Sequence, residues 1–197
     1  MKILTVADMV VKNLLEPVGG GPAISDIELI LSCGDLPPEY LSSLRSRYEV
    51  PLLYVLGNHD IRYGTSPPVG CSLIDRRIVH VGKLKIVGFS GSRWYNGNIN
   101  QYTEEQMTDF IKRLRFSLWR SRGVDLVVTH APPRYIHDAE DLCHRGFRCF
   151  NQFIDKYQPR HLVHGHIHAL FADEAERTTR VNSTFVTNCY GYHIFEI

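Results

Sequence analysis

Short apolar runs recur along the chain, each bounded by turn-forming residues. Ile3–Val6, Leu29–Leu31, Leu52–Leu56, Leu126–Val128 and Leu162–Val163 have this character, and runs so short and so bounded predict buried strands. Arg77–Val81 and Lys83–Phe89 flank a lone Gly82 and predict a hairpin. Thr184–Thr187 and Tyr192–Ile197 predict two more strands around Asn188 and Gly191. Helical patterning covers Pro38–Tyr48, Thr103–Arg122 and Phe147–Tyr157, and Thr103 with Gln106 predicts a capping box on the second of these. Strands alternating with helices predict a layered α/β fold, and the later hairpins predict a second, mixed sheet packed on the first. In open α/β sheets the site lies beyond the carboxyl ends of the strands.

Composition narrows the picture. A chain of 197 residues predicts one domain, spanning 1–197, with a core large enough to need no staples. A net charge of +1 provides no general field for a long polyanion, so no long nucleic acid is expected as a partner. The second helix does carry Lys112, Arg113, Arg115, Arg120 and Arg122; a solvated face is the simpler reading than a nucleic-acid patch. Five cysteines at positions 33, 71, 143, 149 and 189 form no disulfide framework, which points to reduced thiols and a cytoplasmic location. Cys143 and Cys149 lack the second pair that a zinc knuckle needs. The N-terminus meets Asp8 too early for a signal-peptide core, and no apolar run approaches the roughly 18–20 residues of a membrane span. Gly19-Gly20-Gly21-Pro22 fits neither phosphate-binding glycine motif and reads as a flexible loop.

The chemistry-bearing residues stand where the strands end. The first strand leads to Asp8 and the second to Cys33-Gly34-Asp35. The third leads to Gly57-Asn58-His59-Asp60, the fourth to Thr129-His130 and the fifth to His164-Gly165-His166-Ile167-His168. One such residue is usually an ordinary loop residue; five in order on five strands point to a metal site. A hard carboxylate such as Asp35 can bridge two cations, while imidazoles and an amide oxygen fill positions without excess negative charge. His166 and His168 cannot both point one way from an extended strand, so Gly165 predicts a turn that sends the rings toward different ions.

Gly34-Asp35, Gly57-Asn58-His59-Asp60, Thr129-His130 and Gly165-His166-Ile167-His168 stand in the order of the calcineurin-like metallophosphoesterase superfamily, which this chain resembles over nearly its whole length. The resemblance implies two mixed β-sheets packed as a sandwich and flanked by helices, a four-layer α/β/β/α fold. It implies two divalent ions, with manganese expected and iron, nickel or zinc as alternatives. Asp35 would bridge them, Asn58, His130 and His166 would complete one site, and Asp8 and His168 would belong to the other. His59 would lie beside the substrate phosphate as the catalytic acid. The implied reaction is hydrolysis of a small phosphodiester, cyclic nucleotide or phosphomonoester by a metal-bound hydroxide, with the ions roughly 3.5–4 Å apart.

The chain departs from that pattern twice. The first motif is normally Asp-x-His, and here Val10 occupies the histidine position, depleting the second site. An aspartate that orients the catalytic histidine in many relatives is replaced by Pro38, with Glu39 adjacent. Three readings of Val10 stay open: water fills the position, a replacement ligand comes from another loop, or the site has decayed. The loop after His130 is the natural source of a replacement, with His137, Asp138, Asp141, His144 and Arg145. Among these, His144 and Arg145, with His137 and Asp141, are the candidate substrate contacts; a polar surface segment is the simpler reading. His80, His161 and His193 fall outside the motifs and read as structural. Two functions follow: an active phosphodiesterase or phosphatase, with a nuclease as a subordinate variant, or a scaffold of this fold acting in protein interactions, as in the retromer subunit that resembles it. The intact His59 and the complete first metal site favour the enzyme.

Overall fold

Two mixed β-sheets pack face to face in the computed structural model, which describes residues 1–16 and 23–197. The predicted loop at 19–22 lies outside the described residues. In chain order the strands are β1 (Lys2–Ala7), β2 (Leu29–Ser32), β3 (Leu52–Tyr54), β4 (Ser72–Leu73), β5 (Ile78–Val81), β6 (Leu84–Phe89), β7 (Ser92–Arg93), β8 (Gln101–Tyr102), β9 (Leu126–Thr129), β10 (His161–His164), β11 (Thr178–Val181), β12 (Thr184–Asn188) and β13 (Gly191–Glu196). The helices are α1 (Pro38–Tyr48), α2 (Glu104–Arg113), α3 (Arg115–Arg120) and α4 (Arg148–Tyr157). The first sheet has the order β13-β1-β2-β3-β4, parallel except for β13 at its edge. The second has the order β11-β12-β10-β9-β6-β5, parallel in its four central strands and antiparallel at both edges.

The apolar runs are continuous because the strands are buried on both faces. Side chains alternate across a strand, so neighbouring residues join different layers. Ile3, Leu29, Leu31 and Leu53 face Ile86, Leu126, Val128 and Val163 across the sandwich interior. Leu4, Val6, Ile30, Leu52 and Tyr54 face outward onto Leu41 and Leu44 of α1. Val87, Phe89, Val127 and Leu162 face outward onto Phe150, Phe153 and Ile154 of α4, with Met107 of α2 and Leu118 of α3. Helix, sheet, sheet and helix thus stack in four layers, as the resemblance implies.

The local differences from the sequence reading are instructive. The segment 103–122 is two helices, not one. Thr103 forms the expected capping box with Gln106, but Leu114 has ψ −4° and its N–H turns to the Ile111 carbonyl, a tight turn that ends α2. Neither proline nor glycine marks the break, and Leu114 and Leu118 still pack on the same core layer beyond it. Lys112, Arg113, Arg115, Arg120 and Arg122 are all exposed, and Lys112 pairs with Asp109 at 3.1 Å. The two C-terminal strands belong to different sheets, β12 to the second and β13 to the first. β12 instead forms a hairpin with β11, a polar edge strand that its Thr-Thr-Arg-Val sequence conceals. All five cysteines are free thiols. No helix among the described residues is long and apolar enough to cross a membrane.

Candidate metal centre

The strand ends that carry candidate ligands converge on one rim, β1, β2 and β3 from the first sheet and β9 and β10 from the second. Ligand atoms of Asp35, His130 and His166 lie within 4.8 Å of one another. Asn58 joins them, with its Oδ1 3.0 Å from His130 Nε2. Asp35 Oδ2 lies 3.4 Å from the same nitrogen, while Asp35 Oδ1 accepts the His59 backbone N–H at 2.8 Å. These four groups form the first half of the site.

Each imidazole in this half has one nitrogen committed to a backbone carbonyl. His130 Nδ1 donates to the Cys33 carbonyl at 2.7 Å. His166 Nε2 donates to the Cys143 carbonyl at 2.8 Å. An N–H fixed in this way leaves Nδ1 of His166 with its lone pair, and makes Nε2 of His130 the nitrogen that must give up a proton before it can bind a cation. The ligand loops are also tied together. Asp60 Oδ2 accepts N–H bonds from Asp35 at 2.9 Å and Gly57 at 2.7 Å. A Cβ at Gly57 would strike the Asp35 carboxylate, so this close passage of backbone requires glycine. Two imidazole nitrogens, a carboxylate and an amide oxygen suit a borderline first-row divalent cation. The residues present therefore fit such an ion.

The second half is built differently. Asp8 follows β1 in the left-handed region, φ 62°, with its side chain fully buried. Its two oxygens accept the His166 backbone N–H at 3.1 and 2.9 Å, and Oδ1 lies 3.6 Å from His168 Nε2. His166 also has a positive φ, 69°, and this turn buries its ring beside His130 while His168 emerges on Asp8. The divergence expected of these two rings is thus present. A Cβ at Gly165 would come 2.6 Å from Asp8 Oδ2, so the turn passes hard against the carboxylate. The His168 side chain is 60% exposed and stacks on Tyr190 at 4.9 Å. Val10 lies at the surface, 40% exposed, and offers no donor atom.

The charges follow from the contacts. Burial works to raise the Asp35 carboxyl, but His130 and the His59 N–H outweigh it and bring its pKa down to about 2. Burial likewise opposes charge on His130, yet Asp35, Asp8 and the Cys33 carbonyl raise it to about 9. His166 moves the other way, to about 3, through burial and the neighbouring His130 charge. Burial lifts Asp60 to about 7 against the pull of its two N–H donors, with Asp35 adding to the rise.

The remaining predicted residues are placed as follows. The His59 ring is exposed beside a recess of about 320 Å³ lined by Asp35, Pro37, Pro38, Ile61 and Arg62. Glu39 forms a two-point ion pair with Arg62, at 3.0 and 2.9 Å, and is not directed to His59. The loop after His130 does reach the centre. Arg134 anchors it through Asp138 at 2.6 Å and Glu140 at 2.8 Å, Cys143 supplies its carbonyl to His166, and the His144 ring lies 5.3 Å from that of His166. Asp141 holds the His144 Nδ1 at 3.0 Å and the backbone N–H groups of 143 and 144. Arg145 donates to the Glu140 carbonyl. His137 bonds His164 at 3.0 Å and Thr179 at 2.8 Å. His161 stacks on Phe195, His193 bonds Glu174, and His80 is exposed on β5. The sequence reading passed over Tyr95, whose phenol accepts from the Asn58 amide at 3.1 Å, and the Cys143 carbonyl.

The profile described as calcineurin-like phosphoesterase matches residues 1–170. Among solved structures, TT1561 of Thermus thermophilus superposes with a TM-score of 0.64 at 13% identity, over 96% of this chain and 89% of that one. The calcineurin-like phosphoesterase YfkN of Bacillus subtilis superposes at 0.55 and 14% identity, over 98% and 83%. At these identities the likeness speaks for the fold alone. No curated protein sequence matches the chain.

Proposed function

The chain belongs to the calcineurin-like phosphoesterase family, and on that premise we propose that it hydrolyses a small phosphoester, a phosphodiester or phosphomonoester, with divalent metal bound at the rim described above. One observation carries this reading: donor atoms of Asp35, His130 and His166 lie within 4.8 Å of one another, Asn58 Oδ1 lies 3.0 Å from His130 Nε2, and each imidazole has one nitrogen tied to a backbone carbonyl. Manganese is the expected metal, with iron, nickel or zinc as alternatives, and two ions are expected with Asp35 between them. Bound there, such ions supply positive charge to phosphate oxygens and lower the pKa of water to about 7.

The chain's own residues do the rest. Asp35, charged at all physiological pH values, keeps the His59 backbone in place. The exposed His59 ring stands beside the same carboxylate, where it can stabilise developing charge or protonate a leaving oxygen. The recess floored by Pro37 and Pro38 takes the organic part of the ester, and its volume of about 320 Å³ favours a small one. Five free cysteines support a reducing, cytoplasmic setting.

The scaffold reading rests on Val10 and the exposed His168, which leave the second half with few donors. Metal content and turnover of mono- and bis(4-nitrophenyl) phosphate with manganese, nickel and zinc decide between them. The enzyme reading expects turnover that falls about 10²–10⁴-fold in His59→Ala with metal still bound. No turnover with any of the metals, or turnover indifferent to both His59→Ala and Asn58→Ala, overturns it.

A further inference from the structure

The contacts around Asn58 run outward into a loop that contains none of the ligand motifs. Asn58 Nδ2 donates to the Tyr95 phenol oxygen at 3.1 Å. The other end of that amide, Asn58 Oδ1, lies 3.0 Å from His130 Nε2.

The loop that carries Tyr95 is fastened to the backbone that carries Asn58. The Gln101 side-chain carbonyl accepts N–H bonds from Tyr95, Asn96 and Gly97 at 3.2, 3.2 and 3.3 Å. Asn100 Nδ2 donates to the Gly57 carbonyl at 3.0 Å, and the Gly91 N–H donates to the Leu56 carbonyl at 2.7 Å. Tyr95 is therefore held in register with Asn58.

We propose that Tyr95 is a positioning residue for the metal centre: its phenol oxygen holds the Asn58 amide with nitrogen outward and oxygen toward the cation. The inference rests on the metal-centre reading given above. The two ends of a carboxamide are nearly identical in shape, but only the oxygen offers a lone pair to a metal. Asn58 is 3% exposed, so bulk water has little access to orient it. The phenol oxygen accepts here, and an acceptor selects the amide nitrogen.

Tyr95→Phe keeps the ring and removes the oxygen. Titration calorimetry of the metal-free chain with Mn²⁺ should show the tighter ion binding about 10–100-fold more weakly. The weaker ion and the melting temperature of the metal-free chain should be unchanged. Asn58→Asp supplies the control that a merely structural role would not satisfy. A carboxylate has an oxygen at each end and needs no orienting, so adding Tyr95→Phe to Asn58→Asp should cost little further affinity. Wild-type affinity in Tyr95→Phe, or an equal loss in both backgrounds, overturns the proposal. Asn58→Ala separates the two levels: it should abolish tight Mn²⁺ binding, and unchanged binding there overturns the metal-centre reading itself.

Discussion

Asp35, Asn58, His130 and His166 lie among buried groups, and each side chain has a further contact that fixes its direction. Asp8 is buried too, but its partner His168 is largely in solvent, stacked on Tyr190 and 3.6 Å from the carboxylate. The candidate ligands of the first half are already oriented, because backbone carbonyls and neighbouring loops fix their directions. To hold a cation, the second half would have to order an exposed imidazole, which costs side-chain entropy. The difference between the halves therefore lies in orientation as well as in the number of donors, and Val10 adds to an asymmetry that the surroundings already create.

The most severe way to break this comparison is to remove the residue common to both halves. Asp35→Ala should lose both ions and lower kcat/KM on the order of 10³-fold or more, as removal of a central electrostatic group does. Metal analysis after dialysis checks it against Asn58→Ala, which should lose the tighter ion alone. If Asp35→Ala retains one full equivalent, Asp35 is not shared.

The halves should also differ in their response to pH. His130, with its pKa raised to about 9, carries a proton at neutral pH that must leave before Nε2 can bind metal. His166, lowered to about 3, has no such proton to lose. Affinity of the tighter ion should therefore rise about tenfold per pH unit between pH 7 and 9 and then level off. Calorimetry in buffers of different ionisation enthalpy should report close to one proton released per tight ion. Zero release would mean that the tighter ion displaces no proton from His130. The sign for the metal-free fold is the reverse. A raised histidine contributes stability that is complete below its ordinary value of 6.5 and is lost as pH rises through about 9.

What was legible in the chain divides along physical lines. Strands buried on both faces announce themselves as continuous apolar runs, and five of them with candidate ligand residues just beyond their ends located the rim. The break at Leu114 was not legible, because apolar spacing on either side remains helical and a shift of one N–H from an i−4 to an i−3 carbonyl leaves no residue signature. β11 is a polar edge strand, so burial imposes little pattern on it. The outer contacts of the centre were hidden for two other reasons. The Cys143 carbonyl is a backbone atom that any residue would supply. Tyr95 reaches Asn58 only because Gln101 gathers three N–H groups of its loop, a relation between residues that no single motif contains.

The finest way to sharpen the comparison is to return a donor to the weaker half. Val10→His places an imidazole at the position where the family's first motif carries one, on the segment that follows Asp8. Val10 is 40% exposed, so the larger ring displaces little packing and should leave the melting temperature unchanged. The second ion should bind on the order of tenfold more tightly, about 1.4 kcal/mol, a modest gain because His168 would still be exposed and would still have to be ordered. The tighter ion should not change, since its candidate ligands Asp35, Asn58, His130 and His166 lie on other loops than Val10. If calorimetry instead shows the second ion unaffected, another group already fills that position, and His144, whose ring lies 5.3 Å from His166, is the first residue to replace in a search for it.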